Sequence, residues 1–150
     1  MPYFRSASTS ALGLGWKAGI AADAEKLDAV LVAADCLAMG VIPSLENAGY
    51  GSGDLAFPIV TGQDAELAAV KSIKAGKQSM TAFLDANELV KIIVPVTTSL
   101  LGGEVPTATA TYNNGTIDVP AQTYSPYAIT AENVNYLVEV GFYTEADVNG

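Results

Sequence analysis

The sequence has 150 residues, of which 50% are hydrophobic and 15% charged, so it has the length of one domain and is too apolar for a disordered chain. Its 16 acidic residues outnumber the 7 basic ones and give a net charge of −9, which argues against nucleic acid and anionic membrane surfaces as partners. The sequence contains no histidine, which excludes Ser–His and Cys–His nucleophile pairs and histidine zinc sites, and its one cysteine, Cys36, excludes an internal disulfide.

The first elements predicted along the chain are a helix, a strand and a second helix. Residues 10–27 carry apolar side chains at four-residue spacing, which predicts a helix. Residues 28–33 form a short, nearly continuous apolar run, which is typical of a strand covered on both faces in a parallel sheet. Residues 35–48 then favour a helix that stops at Gly49.

The same alternation continues in the middle of the chain. Residues 57–61 predict a strand, and residues 65–75 a helix with Gly76 as its C-cap. Residues 78–83 predict the next strand. Strands that alternate with helices in this way indicate an α/β fold with a parallel sheet.

Acidic residues lie at two turns where a predicted strand is followed by a helix. Ligands of open parallel sheets bind beyond the carboxyl ends of the strands, so a binding site is expected at these turns. At the second turn, Asp64 and Glu66 are open to two interpretations: paired carboxylates for acid–base chemistry, or charges that face the dipole of the following helix. At the first turn, Asp35 fits the N-cap of its helix, and Cys36 beside it fits a packing role.

Residues 85–101 carry the strongest helix pattern of the chain. Asp85 and Glu88 have the spacing of a capping box at its start. One face of the helix is apolar and consists of Leu89, Ile92, Ile93, Val96 and Leu100.

The last third of the chain has a turn, an extended stretch and a final helix. Residues 113–115, Asn-Asn-Gly, predict a tight turn, and residues 119–127 an extended segment. Thr130 is expected to cap the final helix. We find no pattern for a signal peptide, a membrane span, a metal site or a cofactor site, since the glycine pattern that starts at Gly13 does not follow an apolar strand.

Several segments together resemble one known family. They are residues 28–35, 60–76 and 78–81, the Tyr-Asn-Asn-Gly of residues 112–115, the Val-Pro of residues 119–120, and the tail at residues 129–138 and 141–147. In these segments the chain resembles the sugar-binding receptors of bacterial ABC importers, which are type I periplasmic binding proteins, in the branch of xylose-binding and multiple-sugar-binding receptors.

The resemblance implies a Rossmann-like lobe of a two-lobe receptor, incomplete because such receptors need about twice this length. We therefore expect the chain to be a single α/β domain that corresponds to the carboxyl-terminal portion of the receptor. Residues 1–84 then belong to the second lobe, residues 85–118 to a segment that packs on the first lobe in the family, and residues 119–150 to a return strand and tail.

The resemblance also implies one ligand-binding residue, Asp64, which matches the aspartate that holds sugar hydroxyls in the family. Two further ligand positions of the family are occupied here by Ala34 and Leu84, which offer no polar side chain. We expect no catalytic residue and no enzymatic activity.

The implied function is sugar binding for ABC-type carbohydrate import, with binding of a pentose or hexose that is weak for the isolated chain. The partner of the intact receptor is an ABC permease, and its location is the periplasm or the cell surface. The alternative function is a non-binding remnant or a self-associating interaction module of the same fold. In either case we expect a homodimer formed through the helix at residues 85–101, because its apolar face needs a partner.

Overall fold

The structure is a computed structural model that describes residues 4–7 and 26–150. Most of the helix predicted for residues 10–27 lies outside the described residues. The chain forms two compact units. The first consists of Met1–Phe83 and Ala128–Gly150, and the second of Leu84–Tyr127.

The first unit contains a parallel sheet, as the apolar runs predict. Its three strands lie in the order β1 (Phe4–Ala7), β2 (Ala29–Val32) and β3 (Ile59–Val60). β4 (Thr81–Phe83) pairs with β7 (Tyr127–Ile129) in a second, two-stranded sheet. A single parallel bridge between Gln63 and Ala82 brings the carboxyl end of β3 beside β4.

Two helices follow β2 and β3 in sequence, namely α1 (Asp35–Asn47) and α2 (Leu67–Lys74). α1 packs an apolar face on the sheet, where a buried cluster excludes water. Its members are Leu27, Val30, Val32, Ala38, Val41, Leu45, Tyr50 and Val60. The hydroxyl of Tyr50 accepts a hydrogen bond from the backbone of Leu27 at 2.7 Å, so its polar end is satisfied inside the cluster.

The tail of the chain completes the first unit with α4 (Tyr136–Glu139) and α5 (Glu145–Asn149). A second buried cluster joins the tail to α2 and β4, with Ala65, Val70, Phe83, Ile129, Val134, Leu137 and Val148. The prediction that Thr130 caps the final helix is wrong. Thr130 bonds within a turn that precedes α4, whereas Thr144 caps α5 in a capping box with Asp147.

The second unit contains α3 (Ala86–Leu101) and an antiparallel hairpin of β5 (Ala110–Asn113) and β6 (Asp118–Ala121). The predicted turn is confirmed, since the connection between the strands includes Gly115 at a φ of 89°. Asp85 caps α3 by accepting from the backbone of Asn87 at 2.8 Å. The predicted capping box is wrong, because the backbone of Asp85 donates to the Tyr124 hydroxyl and Glu88 pairs with Lys91 instead.

α3 has no buried residue among its sixteen. Its predicted apolar face is partly exposed, with 56% of Ile93 and 60% of Leu100 accessible to solvent. Among the described residues, no helix is both long and apolar enough to cross a membrane.

Candidate functional site

Asp35 does not cap α1, and the sequence-based prediction of that role is wrong. The N-cap is Ala34, whose backbone is extended, so Asp35 is the first residue inside the helix. This shift by one residue turns the carboxylate into the protein, where Asp35 has 0% exposure. Cys36, the next residue, is exposed, and its predicted packing role is also wrong.

The Asp35 carboxylate is bound by three donors from distant parts of the chain. Oδ1 accepts from Nε2 of Gln78 at 2.9 Å, and Oδ2 accepts from the Thr81 hydroxyl at 2.8 Å. Oδ2 also accepts from the backbone N–H of Glu66 at 2.9 Å. A buried carboxylate needs such donors to replace water. We call Asp35, Gln78 and Thr81 the Asp35 cluster.

The packing around the Asp35 cluster leaves no free space at Gly62. A side chain there would overlap with Oδ1 of Asp35 and Nε2 of Gln78. Nε2 of Gln78 donates a second bond to the carbonyl of Met80, while Oε1 is buried without a partner among the described residues. The only sequence signal for this cluster is the presence of Gln78 and Thr81 in an otherwise strand-like segment, and sequence analysis missed its role.

The turn that follows β3 has an unusual backbone. Asp64 has a φ of 98° and Ala65 a φ of 54°, in the left-handed region that non-glycine residues rarely adopt. Each such residue costs on the order of 1–3 kcal/mol, so the turn persists only because its surroundings hold it.

Three hydrogen bonds hold this turn, two from neighbouring residues of β4 and one from Tyr143. The N–H of Asp64 donates to the carbonyl of Ala82 at 2.9 Å, and the N–H of Ala65 donates to the Thr81 hydroxyl at 3.1 Å. The carbonyl of Ala65 accepts from the Tyr143 hydroxyl at 3.0 Å. Together these bonds stabilise the left-handed backbone of the turn.

The side chain of Asp64, the predicted ligand residue, is exposed at the end of this turn. Nε2 of Gln63 lies 3.3 Å from Oδ1 of Asp64, so the two planar polar groups are neighbours. Glu66 is also exposed and makes no side-chain cap on α2. The two other positions carried over from the family hold Ala34, which is half-buried, and Leu84, which is 36% exposed.

Burial raises the pKa of the Asp35 carboxyl above its ordinary value of 3.8, although the bonds from Gln78, Thr81 and Glu66 oppose the shift. At pH values between the pKa of Asp35 in the unfolded chain, 3.8, and its higher pKa in the folded protein, the folded protein binds more protons than the unfolded chain. This group's contribution to stability is therefore complete below pH 3.8 and is lost as pH rises through the folded pKa.

This linkage predicts how Asp35→Asn will differ from the wild type. As pH falls from neutral towards 3.8, the free energy of unfolding of the wild type should increase relative to that of the variant, because asparagine does not titrate. Urea titrations of both proteins at matched pH values measure the difference. A gap that narrows with falling pH would contradict the direction of the shift.

No group of three or more histidine, cysteine, aspartate or glutamate side chains within residues 4–7 and 26–150 is placed to hold a metal ion. The geometry of the site is that of an exposed carboxylate and carboxamide, Asp64 and Gln63, on a rigid turn at the end of a parallel strand. Such planar groups suit ligands rich in hydroxyls, which both donate and accept hydrogen bonds.

Comparison with known proteins gives consistent results. A family model described as a periplasmic binding protein domain matches residues 16–104. The multiple sugar-binding periplasmic protein of Azospirillum brasilense is 45% identical over 123 residues, which cover 81% of this chain and 34% of the relative. The D-xylose-binding periplasmic protein of Escherichia coli strain K12 is 31% identical over an alignment that covers 98% of this chain and 48% of the relative.

A solved structure gives the same result. The ABC transporter solute-binding protein of Clostridium phytofermentans, with bound β-D-glucose, superposes with a TM-score of 0.74 at 37% identity. The superposition covers 94% of this chain and 44% of that protein. The chain thus spans between a third and a half of the length of these proteins. All three are named as binding proteins, in agreement with the expected non-enzymatic role.

The family match covers more than half of the chain and agrees with the parallel sheet and with the resemblance found in the sequence. The chain therefore belongs to the periplasmic binding protein domain family and has the α/β fold of type I periplasmic binding proteins, covering part of that fold.

Proposed function

We propose that this chain is the carboxyl-terminal portion of a sugar receptor for ABC-type carbohydrate import, with Asp64 as a ligand-binding residue. The observation that carries the proposal is the exposed Asp64 carboxylate on a rigid turn at the carboxyl end of β3, the side of a parallel sheet where ligands bind. The relatives support a sugar as the ligand, because their names specify multiple sugars, D-xylose and D-glucose.

The chemistry of Asp64 fits a pentose or a hexose. The two oxygens of one carboxylate can accept hydrogen bonds from two neighbouring sugar hydroxyls, and bonds to a charged acceptor are the stronger ones. Gln63 beside it can both donate and accept. Ala34 and Leu84 add no polar contact, so we propose that the chain alone binds sugars weakly.

In the proposed receptor the two units have different functions. We propose that residues 85–118, which lie in the second unit, pack on the first lobe of the receptor, and that the first unit presents Asp64 to the sugar. The partner in transport is an ABC permease, and the location is the periplasm or the cell surface. The receptor binds and releases the sugar and breaks no bond.

Replacing Asp64 tests the ligand assignment. Asp64→Ala should abolish measurable binding of D-xylose and D-glucose, because losing hydrogen bonds to a charged group costs about 1.5–3 kcal/mol, or roughly ten- to hundredfold in affinity. Isothermal titration calorimetry with both sugars measures the change. The matched control is Asp54→Ala, which removes another exposed acid of the first unit and should bind like the wild type.

Two results would contradict parts of this proposal. A wild-type dissociation constant in the low micromolar range would contradict weak binding. Equal affinities of Asp64→Ala and the wild type would show that the carboxylate is not a ligand.

A second candidate function is self-association without sugar binding, and the exposed apolar side chains of α3 favour it. Val90, Ile93 and Val94 are each more than half exposed. In the same unit, a cavity of about 280 Å³ is lined mainly by apolar side chains, among them Val96 and Leu100. Burial of such side chains stabilises an interface by about 1.5–3 kcal/mol each.

Self-association through α3 predicts a homodimer. Light scattering at tens of micromolar should give a mass near twice the 15.4 kDa of one chain. Ile93→Glu should return the protein to a monomer, because a charge cannot be buried in an apolar interface without a partner. Lys91→Glu changes the charge even more, but on the side of the helix opposite Ile93, and should disturb the dimer less than Ile93→Glu does. A wild-type mass of one chain would refute the homodimer.

A further inference from the structure

The turn that presents Asp64 is held at three consecutive backbone N–H groups, and two of them depend on the Asp35 cluster. The N–H of Glu66 donates directly to Oδ2 of Asp35 at 2.9 Å. The N–H of Ala65 donates to the Thr81 hydroxyl, which in turn donates a hydrogen bond to the same Oδ2 at 2.8 Å. One carboxylate oxygen therefore holds two successive residues of the turn.

The backbone of the turn needs such a hold. Asp64 and Ala65 have φ values of 98° and 54°, and non-glycine residues leave this region when their surroundings allow it. Asp35 also reaches the turn through its own backbone, whose N–H donates to the carbonyl of Gln63 at 2.9 Å. Contacts with Asp35 thus lie on both sides of Asp64 along the chain.

We propose that Asp35 is a positioning residue for Asp64: its buried carboxylate, with the Thr81 hydroxyl, holds the left-handed turn that directs the Asp64 side chain to the ligand. The inference rests on the proposed sugar-binding role of Asp64 and extends it to residues that never touch the sugar. Hydrogen bonds to a ligand demand placement to within about 0.5 Å, so a relaxed turn weakens binding even when the fold is intact.

The directions of the hydrogen bonds explain why an acid occupies this position. All three groups at the carboxylate are donors: Nε2 of Gln78, the hydroxyl of Thr81 and the N–H of Glu66. An asparagine has the same shape but only one acceptor oxygen, so its amide nitrogen would face one of these donors. The orientation with fewest clashes turns the amide nitrogen towards Gln78, so the two donors that hold the turn keep an oxygen, but a neutral one that accepts more weakly than a carboxylate. Asp35→Asn therefore weakens the hold on the turn without changing the packed volume.

The test compares Asp35→Asn with the wild type in the full chain by NMR. Exchange of the Ala65 and Glu66 amide hydrogens should become at least about tenfold faster in the variant, since local opening controls exchange. In chemical-shift titrations, the dissociation constants for D-xylose and D-glucose should rise about tenfold, because the ligand group is misplaced. The control Ile73→Val lowers stability in the core away from the turn and should keep the wild-type affinity.

A second pair of variants keeps Asp35 and changes its bridge to Ala65. Thr81→Val removes the hydroxyl at nearly constant shape, whereas Thr81→Ser keeps it. Thr81→Val should speed exchange of Ala65 and weaken sugar binding, and Thr81→Ser should restore both, which a purely steric role of Thr81 would not produce. This pair decides the question if Asp35→Asn does not fold.

The outcomes separate the two proposals. If folded Asp35→Asn or Thr81→Val keeps the wild-type exchange rates at residues 64–66, the positioning role is overturned. If exchange accelerates but sugar affinity is unchanged, it is likewise overturned. If the wild type binds neither sugar, the proposed function fails, and the exchange data alone then support or overturn the hold of Asp35 on the turn.

Discussion

Gly62→Ala is expected to lower the free energy of unfolding by about 3 kcal/mol or more, at the upper end of what overpacking a core costs. The added methyl group would overlap with Oδ1 of Asp35 and Nε2 of Gln78, which bond to each other at 2.9 Å. Accommodating the methyl group separates them and leaves a buried donor and a buried carboxylate oxygen without partners. Urea denaturation followed by circular dichroism measures the loss.

The matched control for this variant is Gly40→Ala. Gly40 lies inside α1 with nothing within 4 Å of the position of a side chain, so the methyl group meets no obstacle. Alanine in a helix interior is favoured over glycine by about 0.5–1 kcal/mol, and this variant should be more stable than the wild type. A Gly62→Ala protein as stable as the wild type would contradict the close packing around the Asp35 cluster.

Asp35→Ala is expected to lower the free energy of unfolding by about 2–4 kcal/mol at neutral pH. The substitution leaves three buried donors without their acceptor, on Gln78, Thr81 and the backbone of Glu66. The substitution also removes the desolvation cost of the buried carboxylate, the same cost that raises the pKa of Asp35. This gain offsets part of the lost stability.

The same urea titration measures this change, with the exposed Asp54→Ala as control, for which we expect a change within about 0.5 kcal/mol. Loss of an N-cap alone would cost about 1 kcal/mol, so the size of the effect also distinguishes the buried cluster from the cap that the sequence suggested. A loss below about 0.5 kcal/mol would show that the donors find other partners.

The strands and helices of the described residues were largely predictable from local patterns. β2 and β3 lie in apolar runs, α1 and α2 begin and end within two residues of the predicted bounds, and α3 follows the spacing of its apolar residues. These features depend on residues a few positions apart, which the sequence displays directly. The turn at Gly115 was predictable for the same reason.

The wrong predictions concern helix caps, where a side chain can form hydrogen bonds with more than one partner. Asp35 and Thr130 each have the chemistry of an N-cap, but Ala34 and Thr144 occupy the caps. Glu88 had the spacing of a capping box, yet Lys91 pairs with it and the Tyr124 hydroxyl takes the backbone bond. The spacing of residues in the sequence indicates which hydrogen bonds are possible. Which of them forms depends on the groups that lie nearby in the folded structure.

The sequence by itself determined the fold class and the position of Asp64 at the end of a strand, because apolar periodicity is a local property. The family followed from the resemblance of several segments to known receptors. Only the tertiary structure decided the role of Asp35, whose carboxylate bonds to residues 31, 43 and 46 positions away. No local pattern encodes such distances. The strained backbone of Asp64 and Ala65 is likewise a product of the fold, because the bonds that hold it come from Thr81 and Ala82 in β4 and from Tyr143 near the end of the chain.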